Sequence, residues 1–251
     1  VARQKLGQHF LIRGSVLERI ARAACPGTEP LVVEVGPGRG ALTAHLLSHA
    51  DRVVALEVDA YLAGRLREKF AGNGRLELIE GDALTADLGQ WGPAVVAGNL
   101  PYYAATAIVQ RALELGPALR RGVFLVQKEV AARAAAAPGS RDYGYFSVAV
   151  QLSADAQVLF EVKPAAFHPP PKVDSAVLRL EPRQRAAELG IADPRDFLRF
   201  VALCFHQKRK TVRNNLAAAY GPAVDGWPEA PLRAEQLDIP AFAAMYRRLV
   251  P

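Results

Sequence analysis

Asn99, Leu100, Pro101 and Tyr102 are the stretch of this chain whose residue types lend themselves most directly to chemistry. They follow Ala94-Val95-Val96-Ala97, an apolar run that reads as a short buried strand. Asn99 therefore falls where a strand ends and a loop begins, which in an open α/β sheet is the rim that binds ligands. An amide offers one carbonyl acceptor and two N–H donors. Pro101 stiffens the turn, and Tyr102 adds a flat ring. An amide acceptor, a neighbouring backbone carbonyl and an aromatic face together suit the exocyclic amine of a nucleobase. The same residues also suit a plain strand-end turn, so both readings stand on this stretch alone.

Other polar groups fall at equivalent strand ends. Leu31-Val32-Val33-Glu34-Val35 reads as a buried strand and runs into Gly36-Pro37-Gly38-Arg39-Gly40, followed by a helix from Ala41. Strand, glycine turn and helix form the usual start of a nucleotide-binding α/β unit, because glycine lets backbone approach a ligand closely. Glu57 lies at the C-terminal end of a second strand, Arg52 to Asp59, at a distance beyond the glycines that suits a carboxylate binding a ribose diol. Asp82 follows a third strand, Leu76 to Glu80, where it suits either an adenine amine or an Asx-turn. Asp59 is placed to start a helix.

The elements that must hold these groups alternate β and α up to the strand Gly122 to Gln127. Helical segments follow at Lys128 to Ala137 and Tyr143 to Gln151. Two more strands, Ala156 to Val162 and Ser175 to Leu180, are joined by Pro164 to Asp174. That connection is too short for a crossover helix, so the two should lie antiparallel. The pattern predicts an α/β fold with a Rossmann-like seven-stranded sheet, spanning residues 1–182. Past Glu181 the pattern becomes helical, with Phe197, Phe200, Val201 and Phe205 at helical spacing. This predicts a small all-helical C-terminal domain over 183–251. It contains a basic block, Lys208, Arg209, Lys210 and Arg213, suited either to phosphates or to a solvated helix start capped by Thr211.

Composition narrows the function classes. The chain has 251 residues, 51% of them hydrophobic, and a formal charge of +6, which fits a polyanionic partner. No apolar run reaches transmembrane length, and no secretory signal is visible at the N-terminus. Cys25 and Cys204 form no metal-ligand or redox spacing. A monomer in a reducing cytoplasm, without membrane or metal, is expected.

Taken together, these stretches resemble the ribosomal RNA small-subunit adenine N6,N6-dimethyltransferase family. The match runs in order from Gln8-His9-Phe10-Leu11 through the glycine turn, Glu57, Gly81-Asp82-Ala83 and Asn99-Leu100-Pro101-Tyr102. It continues through Phe167-His168-Pro169-Pro170-Pro171-Lys172-Val173-Asp174-Ser175 into Lys208 to Leu216. Its most specific parts are Asn-Leu-Pro-Tyr and the proline loop. His9 stands where the family more often has Asn; a contact made by the backbone there survives the change. The resemblance implies S-adenosylmethionine as methyl donor. It places His9 and Leu11 in a strap over the donor, Gly36 at its amino-acid portion, Glu57 at its ribose, and Asp82 and Ala83 at its adenine. Asn99 would lie between donor and target. Asn99 and Leu100 would accept the target amine's N–H groups, and Tyr102 and Phe167 would stack on the two faces of the base. The basic block would meet small-subunit ribosomal RNA, free or in a precursor of the small-subunit particle. Alternatives are a large-subunit RNA methyltransferase, an RNA- or DNA-binding assembly or transcription factor on the same fold, and a nicotinamide-dependent oxidoreductase. The last explains the glycines and leaves Asn-Leu-Pro-Tyr without a purpose.

Overall fold

The structure, a computed structural model, describes residues 9–249. It divides into two compact units. The first holds residues up to Ala131 together with Ala156–Pro182; the second holds Ala132–Asp155 together with residues from Arg183 onward.

The first unit is built on strands β1 (Phe10–Leu11), β2 (Glu29–Val35), β3 (Ala50–Glu57), β4 (Leu76–Glu80), β5 (Ala94–Asn99), β6 (Leu119–Gln127), β7 (Ala154–Val162), β8 (Phe167–His168) and β9 (Ser175–Pro182). Helices α1 (Gly14–Ala24), α2 (Ala41–Leu46), α3 (Ala60–Lys69) and α4 (Ala105–Leu113) connect them, and α5 (Lys128–Ala134) leads out of β6. Seven strands form one sheet in the order β4-β3-β2-β5-β6-β9-β7. The first five in that order run parallel, and β9 is antiparallel to β6. The Val- and Leu-rich runs of β2, β3, β5 and β6 are buried, as strands covered on both faces must be. Helix α1 buries Leu17, Ile20, Ala21 and Ala24 along one stripe. Asp59 caps α3, accepting from the backbone N–H groups of Tyr61 and Leu62.

Strand order reverses between β2 and β5, so their C-terminal ends open a crevice. Gly98 is what lets those ends converge. A Cβ there would lie 2.4 Å from the Val35 carbonyl oxygen and 3.1 Å from the Leu100 side chain. A second, two-stranded sheet was not legible in the sequence pattern. In it β1 pairs antiparallel with β8, Phe10 opposite His168 and Leu11 opposite Phe167.

The second unit is helical: α6 (Tyr145–Gln151), α7 (Arg185–Glu188), α8 (Pro194–Cys204), α9 (Val212–Tyr220) and α10 (Ile239–Arg247). Its core gathers Phe197, Phe200, Val201, Leu216, Phe242 and Met245. The expected continuous first domain, 1–182, differs from this division in one segment. Tyr143, Val148 and Leu152 bury into the helical core, and the Gln151 amide donates to the carbonyls of Ala134 and Ala136. The segment 132–155 therefore belongs with the helices.

Gly98→Ala should shift the urea midpoint by the equivalent of about 1–3 kcal/mol, the usual range for forcing extra volume into packed structure. The slope of the transition should stay unchanged. A midpoint equal to the parent's would show that the strand ends can part without cost.

Candidate active site

The glycine turn after β2 is fixed by backbone geometry and by one lysine. Gly36, Gly38 and Gly40 have φ of 68°, 58° and 71°, the left-handed region that favours glycine. Lys69 Nζ donates to the carbonyls of Arg39 (2.9 Å) and Gly40 (3.3 Å), which orients the far side of the turn. Glu57, at the end of β3, is almost fully buried. Its Oε2 accepts the Gly38 N–H (2.9 Å) and its Oε1 the Asp59 N–H (3.0 Å). Burial raises its pKa, opposed by these two backbone bonds.

These groups wall a cavity of about 390 Å³ at the crevice. The cavity brings together most of the residues expected there: His9, Leu11, Gly36, Glu57, Asp82, Ala83, Asn99, Leu100 and Tyr102. Asp82 is exposed; its Oδ1 accepts the Leu84 N–H at 2.9 Å, closing an Asx-turn. Leu100 is buried, and its N–H bonds the Leu125 carbonyl. Tyr103 stands at the cavity wall with 69% of its surface exposed. Gln8, named in the sequence pattern, lies outside the described residues.

Asn99 is held by the strap. Its Nδ2 donates to the His9 carbonyl at 3.0 Å. A carbonyl only accepts, so the amide nitrogen faces His9 and Oδ1 is left as the free acceptor. The His9 ring lies 5.7 Å from the Tyr102 ring at 35°, and its Nδ1 donates to the Pro169 carbonyl at 2.8 Å. The strap contact that survives the His-for-Asn difference is thus a backbone one. Phe10 packs on the turn: a Cβ at Gly38 would lie 3.1 Å from its ring, and the Arg39 guanidinium caps it at 4.4 Å.

Phe167 does not meet its expectation. It is 3% exposed, packed among Leu11, Leu17, Val162 and Ala166, and absent from the cavity wall. The β1–β8 pairing explains this: side chains alternate along a strand, and here Phe167 turns inward while His168 turns out. The basic block lies in the second unit, and Lys208, Arg209, Lys210 and Arg213 are all exposed. Arg213 is ion-paired to Asp225 at 2.7 Å, and Lys208 donates to the Arg141 carbonyl at 3.3 Å. Arg209 and Lys210 have no ion pair among the described residues.

Two site residues escaped the sequence reading. Glu34 reads as part of a buried strand, yet it is 1% exposed, lies on the cavity wall, and its Oε2 has no hydrogen-bond partner among the described residues. Burial pushes its pKa up to about 8. The Glu57 charge adds to that, while the Thr43 hydroxyl and the Lys69 ammonium partly offset it. Its signal was a charged residue inside an apolar run directly before the glycines. Lys69 gave no signal beyond a basic last turn.

An orphaned buried carboxyl oxygen, a glycine cradle and a second carboxyl one strand over make a wall whose chemistry suits a nucleoside and a positive charge. With the sheet order, they define the class as a Rossmann-like methyltransferase fold. Comparisons with known proteins agree. The family model for ribosomal RNA adenine dimethylase matches residues 1–238. The "Ribosomal RNA small subunit methyltransferase A" of Acidobacterium capsulatum is 44% identical over 98% of this chain and 90% of its own. That of Geobacter sulfurreducens is 40% identical over 99% and 95%. Among solved structures, a dimethyladenosine transferase from Plasmodium falciparum superposes with a TM-score of 0.77 at 25% identity, covering 96% of each chain. The 23S rRNA methyltransferase ErmE superposes at 0.69 with 29% identity, covering 96% of this chain and all of its own. The chain belongs to the ribosomal RNA adenine dimethylase family. Among the described residues no helix is long and apolar enough to cross a membrane, and no group of three or more His, Cys, Asp or Glu is placed to hold a metal.

Glu34 makes stability depend on pH in a defined direction. Its pKa in the folded protein, about 8, lies above the ordinary glutamate value of 4.5, so between those values the folded state binds the extra proton. This contribution is full at low pH and is lost as pH rises through 8. Chemical unfolding from pH 5 to 9 should show stability falling more steeply in the parent than in Glu34→Gln. Parallel curves would mean that Glu34 is ionised throughout.

Proposed function

We infer that this protein transfers methyl groups from S-adenosylmethionine to N6 of adenosines, two adjacent ones, in small-subunit ribosomal RNA. The observation that carries the reading is the Asn99 amide, fixed through Nδ2 so that Oδ1 is the acceptor beside the Leu100 backbone at the mouth of a nucleoside cavity. The relatives named as small-subunit enzymes, at 40–44% identity, favour that substrate over the large-subunit RNA of the 29% identical neighbour.

The residues fit the donor. Gly36 and the turn would meet its amino-acid portion, Glu57 the ribose hydroxyls, Asp82 and Ala83 the adenine, and His9 and Leu11 would cover it. The donor supplies a methyl already activated by its sulfonium. The protein's remaining work is positioning and electrostatics. The target N6 is a poor nucleophile because its lone pair is delocalised into the ring. Asn99 Oδ1 and the Leu100 carbonyl would accept its two N–H groups, turning the lone pair out of conjugation. They would also disperse the positive charge that develops on nitrogen, and one N–H proton is then lost to solvent. Tyr102 would stack on the extruded base, a contact worth about 1–3 kcal/mol that offsets unstacking. With Phe167 buried in the core, stacking rests on Tyr102. In the second unit, Lys208, Arg209 and Lys210 would meet phosphates, with Arg213 engaged by Asp225.

Asn99→Ala should leave S-adenosylmethionine affinity near the parent value by calorimetry and cut single-turnover methylation of unmodified small-subunit particles by about 10²–10³-fold. Near-normal transfer would remove Asn99 from the mechanism. Charge reversal at Lys208, Arg209 and Lys210 should weaken RNA binding and flatten the plot of log affinity against log salt by up to about 2 units. An unchanged slope would place the phosphate contacts elsewhere.

A further inference from the structure

The proline loop is one of the two most family-specific stretches of the sequence, and the mechanism above gives it no task with Phe167 buried. Ser175, its last residue, has one. Its side chain is fully buried, and its Oγ lies 2.7 Å from the Tyr102 hydroxyl. Tyr102 itself is half-buried on the cavity wall, so this bond ties the tip of a site ring to the interior of the sheet.

The tie has a rigid base. Ser175 opens β9 and sits opposite Gln127, the last residue of β6. Next to it, the Asp174 carbonyl accepts the Lys128 N–H at 3.0 Å, and Asp174 Oδ2 holds Lys163 Nζ at 2.6 Å. The loop is thus fastened through both the backbone and the side chain of Asp174, immediately before the serine. A Tyr side chain has two soft torsions; packing against His9 restrains its face, and a bond at its tip restrains the rest.

We propose that Ser175 is a positioning residue for methyl transfer: its hydroxyl sets the plane and depth of the Tyr102 ring against which the target base stacks. This rests on the reading of Tyr102 as the stacking ring. The plainer role for the bond is to satisfy a buried hydroxyl. The two roles differ in readout: a bond that only satisfies a buried hydroxyl couples Ser175 to Tyr102 in stability and leaves kcat at the parent value, whereas a positioning bond couples them in kcat.

The test is a double-mutant cycle with Ser175→Ala and Tyr102→Phe, read as kcat on unmodified small-subunit particles, with S-adenosylmethionine KM and calorimetric affinity in parallel. Each single change should lower kcat roughly threefold to tenfold, the range of one lost hydrogen bond. Donor KM and affinity should hold, and the double variant should be no worse than the singles. Ser175→Thr, which keeps the hydroxyl, should recover most of the loss. Multiplicative effects, or an unchanged kcat in Ser175→Ala, would overturn the proposal. If Ser175→Ala fails to fold, Tyr102→Phe decides alone, since parental kcat in that variant means the bond does not matter. Tyr102→Ala separates the two levels. A harmless Tyr102→Ala would sink the stacking reading itself, whereas a damaging one beside uncoupled singles would sink only the role of Ser175.

Discussion

The bond from Asn99 Nδ2 to the His9 carbonyl decides what the site can do. An amide presents a donor end and an acceptor end of nearly equal shape, and an unfixed Asn would offer either to an incoming amine. A carbonyl partner removes the ambiguity. That partner exists only because the strap is held in place by its pairing with β8, by Phe10 against Gly38 under Arg39, and by His9 on Pro169. The glycine turn, the end of β5 and the proline loop are far apart in sequence. They converge on the strap residues His9 to Leu11.

The electrostatics of the cavity follow from burying two carboxyls on adjacent strands. Glu57 is compensated by two backbone N–H groups. Glu34 has no such bonds at Oε2, and a proton is the cheapest way to keep it neutral in a low-dielectric wall. Burial thus favours the protonated form of Glu34, while Glu57 keeps backbone donors for its carboxylate. A sulfonium donor with an ammonium group matches such a wall better than a neutral or anionic nucleotide does.

How much of this was readable from the chain depends on the range of the interaction. Local signals carried Asn99, Glu57, Asp82, Asp59 and the glycine turn, because strand ends, turns and caps are written in neighbouring residues. Glu34 carried a local signal too, a charge in an apolar run, which was passed over as ordinary strand. The β1–β8 pairing was not legible: two-residue strands have no periodicity, and their partners are separated by about 150 residues of chain. The burial of Phe167 and the bond of Ser175 to Tyr102 are hidden from the sequence for the same reason. Which face a loop residue presents is decided by a partner that local pattern does not contain. The segment 132–155 reads as short helices in any context, and only the buried contacts of Tyr143, Val148 and Leu152 reveal which core it joins.

Transferring a second methyl to one nitrogen puts a different demand on the same groups. After the first transfer N6 keeps a single N–H, so only one of the two carbonyls still finds a donor. The new methyl must sit where the other N–H had pointed. Large side chains there would stop the reaction at one methyl. Directly after Tyr102 and Tyr103 the chain places Ala104, which is buried and on the cavity wall, and Ala105, which opens α4 and is fully buried. A lone β-carbon is the smallest side chain a chiral L-residue can offer, so Ala104 crowds the cavity least. The rigidity needed to orient the amine and the room needed for its growing substituent are therefore assigned to different residues. On the proposed reading, Asn99 and the strap would hold orientation, and Ala104, the small residue on the cavity wall just before α4, would leave the space.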